Sequence, residues 1–199
     1  LIVMPIAING SGTVTGISVG GLPDGIVDTD MLAANAVSSA KLASGVGGKF
    51  ASYAIIGDQK SADSDAGTFT SGDWRTRDLN TELSDPDGIV SISNNQFTLA
   101  AGSYLVKASA PALGVNNHKI KIYNITDSAD VEIGTTEYSH ASDYSTERSF
   151  VSARFTISGS KAFEIQHRCE TTKSSTGLGR GYGMSVVELF TLVEIYKES

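Results

Sequence analysis

Aromatic side chains are missing from the first 49 residues: all fifteen Phe, Tyr and Trp lie between Phe50 and Tyr196. The same stretch holds nine of the 21 glycines and only five charges, Asp24, Asp28, Asp30, Lys41 and Lys49. Such a segment cannot bury enough apolar surface to offset its own ordering entropy, so it excludes an N-terminal globular domain. The chain has one cysteine, Cys169, which excludes an intrachain disulfide and a stapled mini-domain. Cys169 ends the apolar-polar run 163–169 and reads as a small buried strand residue rather than a reactive thiol. Positive charge is scarce, with 15 Lys and Arg against 22 Asp and Glu. A net charge of −7 without a basic cluster argues against nucleic acid as a partner. No run approaches about 18 consecutive apolar residues, so no membrane insertion is expected. Residues 1–8 are apolar but lack the basic start and hydrophobic region of a signal peptide. Met4 is a candidate start, and a fragment is the other reading.

What is present divides the 199 residues into an appendage and one domain-sized unit. Residues 1–21 read as an extended attachment segment, with small polar and β-branched residues alternating between glycines from 9 to 21. Residues 22–49 carry a ten-residue repeat. Val27, Leu32 and Ala33 recur as Val37, Leu42 and Ala43, with small polar residues at 28–29 and 38–39. One Val and one Leu per copy make a core only if equivalent positions of several chains meet, so Val27, Leu32, Val37 and Leu42 are candidate trimer contacts. Asp28 or Thr29 is placed to cap a short helix through residues 31–34. A linker without fixed structure is the competing reading. Residues 45–48 then form a glycine hinge.

From Phe50 to the end the apolar period becomes two. Candidate strands are 53–56, 74–79, 89–92, 96–99, 103–108, 119–123, 131–138, 149–157, 162–169 and 185–196. Asp85, Pro86, Asp87 and Gly88 supply turn chemistry, as do Asn94 and Asn95. No segment carries a helical apolar stripe. The expected architecture is all-β, a jelly-roll sandwich head over 50–199 behind an extended glycine-rich stalk. The last strand presents Val187, Leu189, Thr191, Val193 and Ile195 on one face and Phe190, Leu192, Glu194 and Tyr196 on the other. The second face is too apolar for solvent and too charged for a core. That mixture suits a subunit interface, making Phe190, Leu192 and Tyr196 candidate trimer contacts. Cover by a loop of the same chain is the alternative.

Several strings carry a resemblance. Residues 68–81 around Trp74, the Leu-x-x-Gly-x-Tyr spacing of Leu99 to Tyr104, residues 122–127, and the closing 188–197 resemble the head domain of bacteriophage fibre proteins. That head is similar to the tumour-necrosis-factor-like and complement-like jelly rolls, and the front segment looks like a fibre shaft. Leu192 departs from the pattern, standing where the family often has a charged residue. The resemblance implies a homotrimer with the final strand near the three-fold axis. It further implies an exterior fibre of a virion, bound to other virion proteins through the N-terminal segment.

Nothing in the sequence nominates catalysis. His118, His140 and His167 lack zinc-ligand spacing, so neither a metal nor another cofactor is expected. The Asp63 and Asp65 loop lacks the closing Glu of a calcium hand, and no carboxylate pair stands out for glycoside cleavage. The glycine-rich run 177–183 lacks the strand-and-helix context of a phosphate loop and reads as an exposed, flexible connection. The polar connection 138–148 is a better candidate. Tyr138, His140, Asp143 and Tyr144 suit recognition of a host-surface glycan or protein, by ring stacking and hydrogen bonds to hydroxyls. A structural, non-enzymatic adhesin is therefore expected. A capsid-mounted head fibre or decoration protein and a surface-polysaccharide-degrading enzyme are the alternatives.

Overall fold

In the computed structural model, residues 50–142 and 145–198 are described. The expected attachment segment, the stalk repeat with Val27, Leu32, Val37 and Leu42, and the candidates Asp143 and Tyr144 lie outside the described residues.

The strands are β1 (Phe50–Lys60), β2 (Arg75–Thr76), β3 (Thr81–Ser84), β4 (Val90–Ser93), β5 (Gln96–Leu99), β6 (Gly102–Leu113), β7 (Asn116–Asn124), β8 (Ala129–Ile133), β9 (Glu137–Ser139), β10 (Thr146–Ile157), β11 (Lys161–Cys169) and β12 (Glu188–Glu198). One sheet runs β10-β6-β12-β1-β3. The other runs β4-β5-β11-β7-β8, with β2 pairing β11 and β9 pairing β7. All the pairings are antiparallel. The turns are those that the Asn and Asp residues predict. Asn94 and Asn95 both take positive φ between β4 and β5. The Asp85 carboxylate accepts from the backbone N–H groups of Ile89 and Val90.

Alternation builds the core. Ala54, Ile56, Val106, Val151, Val193 and Ile195 of one sheet meet Phe97, Leu99, Ile120, Ile122, Phe163 and Ile165 of the other. Tyr104 is fully buried and turns its hydroxyl onto the Ala100 carbonyl, 3.0 Å away, at the β5–β6 turn. The structure adds β3, which sequence pattern misses. It also divides the expected strand 131–138 at Gly134, whose N–H bonds the Ile120 carbonyl.

The largest departure is in β12. Against β1, Gly57 pairs with Leu192 and Gln59 with Leu189, so β12 holds one residue more than its neighbour. This bulge reverses the alternation. Thr191, Val193 and Ile195 stay on the core side as expected, whereas Leu189 turns outward and Phe190 turns in, only 5% exposed. The expected placement of Phe190 on the open face is corrected: its ring is covered by its own chain. Gly179 lies against it, and a Cβ there would come 2.3 Å from Phe190 Cδ1 at a φ of +139. A Cβ at Gly57, across from the bulge, would meet Leu189 Cδ1 at 2.8 Å and the Thr191 carbonyl at 2.9 Å.

Two arginines pin the bulge from opposite sides. Arg77, 1% exposed, donates from Nε to Thr191 Oγ1 at 2.9 Å, from Nη1 to the Pro111 carbonyl and from Nη2 to the Leu178 carbonyl at 2.8 Å. Arg148 of β10 reaches over β6, donating to Ser109 Oγ at 2.8 Å and to the Phe190 carbonyl at 2.6 Å. Burial pulls the Arg77 pKa down to about 10, opposed by the fields of Asp58 and Asp78. The guanidinium therefore remains charged at neutral pH.

Arg77→Ala strands three buried acceptors and is expected to cost about 3 kcal/mol or more in urea unfolding. Gly179→Ala is expected to cost about 2 kcal/mol or more, because strained backbone and an occupied ring site coincide. A change below about 0.5 kcal/mol in either variant would contradict this account of the bulge.

Candidate assembly and binding surfaces

Strand register places the outward side chains of the five-stranded sheet in rows across β1, β12, β6 and β10. One row is Tyr53, Tyr196, Leu105 and Arg154. The next is Ile55, Glu194, Lys107 and Ser152, and the third is Gly57, Leu192, Ser109 and Phe150. Tyr53 is 45% exposed and Phe150 52%. Phe50 stands 5.2 Å from the Tyr196 ring. Arg154 makes a two-pronged pair with Glu198 at 2.6 Å on each arm. A depression of about 380 Å³ lies between Leu192, Glu194, Lys107, Phe150 and Thr135. The structure thus brings the candidates Leu192 and Tyr196 to one open face and keeps Phe190 from it. Sequence reasoning missed Phe50, Tyr53, Leu105 and Phe150. The signal for Tyr53 and Phe150 was their parity, opposite to the buried Ala54 and Val151.

The outward face of the seven-stranded sheet has different chemistry. Lys121 is almost fully buried, held by Asp130, and its ammonium sits 4.4 Å from the centre of the Trp74 ring and 4.8 Å from that of Tyr123. Beside Trp74 opens a cleft of about 410 Å³, with walls that include Lys119, Arg168, Asn117, Glu170 and Thr136. The Glu170 carboxylate is oriented by the backbone and side-chain N–H groups of Asn117, the latter at 2.6 Å. Tyr138 pairs with Asn117 in register and is 52% exposed, so this candidate stands at the rim of the cleft. Its ring lies 6.0 Å from that of His140. Tyr138 and His140 are therefore together. Trp74, Lys119, Arg168 and Glu170 were not singled out by sequence, because β2, β11 and β7 bring them together from positions up to 96 residues apart.

The expected flexible loop at 177–183 is only partly exposed. Gly177 and Gly179 are buried and their carbonyls accept from Leu113 and Ala66 N–H groups. Asp65, a calcium-loop candidate by sequence, accepts from Gly181 N–H at 3.0 Å and so ties two loops together. From Tyr182 onward the loop is open, with Met184 76% exposed. Residues 185–187, read as strand from sequence, belong to this loop.

His118, His167 and Cys169 are buried together. His118 Nδ1 and His167 Nε2 share one hydrogen bond at 3.0 Å, and the ring of Phe69 lies 4.5 Å from that of His167. Whichever way the shared proton points, His118 Nε2 and His167 Nδ1 lack hydrogen-bond partners, leaving one N–H and one lone pair unmet. Burial drives the His118 pKa down to about 4 and that of His167 well below its ordinary value. Cys169 next to them is pushed up to about 11, also by burial, which makes it a poor nucleophile at neutral pH. Among the described residues, no group of three or more His, Cys, Asp or Glu is arranged to hold a metal ion.

These imidazoles make stability depend on pH. The unfolded chain takes up their protons near pH 6.5, while folded His118 resists until about 4, so stability falls as pH drops through that window. Each histidine contributes up to about 1.4 kcal/mol per pH unit. Urea unfolding at a series of pH values should show His118→Gln losing less stability than the wild type between pH 6.5 and 4.5. Equal slopes would exclude a buried neutral His118.

No family model matches the chain, and no curated protein matches it either. Among solved structures it is similar to the tumour necrosis factor Eiger of S. frugiperda, with a TM-score of 0.50 and 10% identity over 76% of this chain and 94% of that one. A weaker likeness is found to the globular domain of zebrafish complement 1qA, with a TM-score of 0.45, 14% identity, and 73% and 96% of the two chains covered. Murine APRIL at pH 8.0 gives 0.46 and 10%, covering 73% of this chain and 98% of that one. At such identities the likeness is one of fold, and the described residues form an all-β, two-sheet sandwich of the tumour-necrosis-factor type.

Proposed function

We propose that the chain is a subunit of a homotrimeric adhesion fibre, of the kind found on bacteriophage virions. In this reading the outward face of the five-stranded sheet packs around a three-fold axis, and the outward face of the seven-stranded sheet meets the host surface. The observation that carries the proposal is the row Tyr53, Tyr196 and Leu105 beside Leu192 and Phe150. These rings and aliphatic groups flank a middle row in which the opposite charges of Glu194 and Lys107 face each other, a mixture of apolar area and complementary charge that suits a subunit contact. The resemblance of residues 68–81 and 188–197 to fibre heads supports the same arrangement. Residues 1–21 are the segment proposed to attach to other virion proteins. Three copies of a weak site on one rigid tip bind by avidity, so no single site need be tight. The cleft beside Trp74 has one carboxylate, Glu170, among its described lining residues. Glycoside hydrolysis by the common route uses two, which favours binding over cleavage.

Native mass spectrometry at micromolar concentration is expected to give three chains of 20.8 kDa. Phe150→Asp changes an exposed side chain and should leave the circular-dichroism spectrum intact while releasing monomers. The trimer should adhere to the surface of host bacteria at least about a hundredfold more tightly than that monomeric variant. A wild-type monomer would defeat the assembly reading, and equal adhesion by trimer and monomer would defeat the avidity reading.

A further inference from the structure

The cleft beside Trp74 contains an electrostatic cost that the fold does not explain. Lys119 of β7 and Arg168 of β11 are directly opposite each other in the antiparallel register and point outward on one face. Like charges in this position repel, and such pairs destabilise a sheet. The neighbouring cation on the same face, Lys121, is compensated by Asp130. Lys119 and Arg168 make no side-chain hydrogen bond or ion pair with any described residue, on a chain whose net charge is −7. The carboxylate nearest in the cleft lining, Glu170, is turned to Asn117. The cleft is therefore polarised along its length, with two uncompensated cations and an indole at one end and a carboxylate with an amide at the other.

We propose that this cleft binds an acidic saccharide, a sugar ring carrying a carboxylate or a sulfate. The anionic group sits between Lys119 and Arg168, where it relieves their repulsion; Arg168 offers the forked donors that match such an oxyanion. Trp74 presents a ring edge or face to the apolar C–H side of the sugar, and its position is fixed from behind by Lys121. Glu170 and Asn117 accept from and donate to the ring hydroxyls. Glu170 also repels a second anion, which confines the ligand to one charged group in this cleft. The overall negative charge of the chain disfavours longer polyanions such as nucleic acid. A volume of about 410 Å³ accommodates one or two sugar rings. The proposal gives a ligand class to the adhesion surface proposed above and rests on that reading; Tyr138, at the rim, would extend the contact along the glycan.

Trp74 is the one tryptophan of the chain, so its fluorescence reports on the cleft directly. The head would be titrated with trigalacturonate, its neutral trimethyl ester, sulfated maltotriose, plain maltotriose and inorganic sulfate. A charged sugar should change the Trp74 emission saturably, and the neutral sugars should not. The tighter of the two charged sugars identifies the group. Lys119→Ala and Arg168→Ala should each weaken binding about tenfold or more, with a melting temperature equal to or above the wild type, since each removes a repulsion. The proposal is overturned by any of four results: no charged sugar binding up to about 10 mM, inorganic sulfate binding as tightly as the sugars, either variant binding like the wild type, or a lowered melting temperature that marks the pair as structural. Cell adhesion separates the two readings. If a Lys119→Ala, Arg168→Ala trimer adheres as well as the wild type, the cleft proposal fails and adhesion stands. If the wild-type trimer binds the charged sugar but no cell surface, the adhesion reading fails and the cleft stands.

Discussion

Arg77 carries a positive charge into the space between two sheets, where an unpaired ion would cost several kcal/mol. Its guanidinium remains there because backbone and hydroxyl oxygens have been brought to it. They come from β12, from β6 and from the loop that precedes β12. Most of the head's irregular features follow from that requirement. Thr191 accepts from Arg77 beside the bulge in β12. The same bulge turns Phe190 inward, and Gly179 leaves room for its ring. Arg148 then takes the Phe190 carbonyl from the other side. Asp58, 1% exposed and itself pushed up by burial, lends its field from β1 and is held by Lys60 and Asn80. Nearby His167 is kept neutral by burial first and by Arg77 second. One buried cation thus sets the shape of the strand that lies at the centre of the open sheet face.

That shape has functional weight. Leu192 and Tyr196 keep the regular alternation and face outward with Tyr53, Leu105 and Phe150, while the bulge makes Phe190 part of the head's interior. The two outward faces then differ in kind. One carries aromatic and aliphatic rows on either side of a charged row, and is the face proposed to meet other copies. The other gathers cations around a single indole, the cleft proposed to take a charged sugar. A sandwich supplies this division of labour readily, since its two sheets share a core but have independent exteriors.

Regular features were legible from residue order alone. The clean alternation of residues 118–123 identified β7, and Asn94 with Asn95 identified the β4–β5 reversal. The Leu99 to Tyr104 spacing located a turn that Tyr104 closes with its hydroxyl. Features that depend on a partner were not legible. β3 is a four-residue edge strand of mixed polarity, defined only by its pairing with β1. The bulge exists only relative to Gly57. In the cleft, Trp74, Lys119 and Arg168 carry no local motif, and their proximity is a product of register. The candidates Tyr138 and His140 could be named early because they are close in sequence, on and just after a short strand.

The first and last described strands of the head are hydrogen-bonded neighbours, with Phe50 opposite Glu198. Chain entry and chain exit are therefore a few ångströms apart, at a single corner of the sandwich. A module with adjoining ends can be spliced into a loop of another protein, or have its ends joined and be reopened elsewhere, without crossing its own core. It also means that a pull applied between those ends would load the β1–β12 ladder one rung at a time. Mechanical resistance in that direction would rest on a single pair of strands and not on the sandwich as a whole.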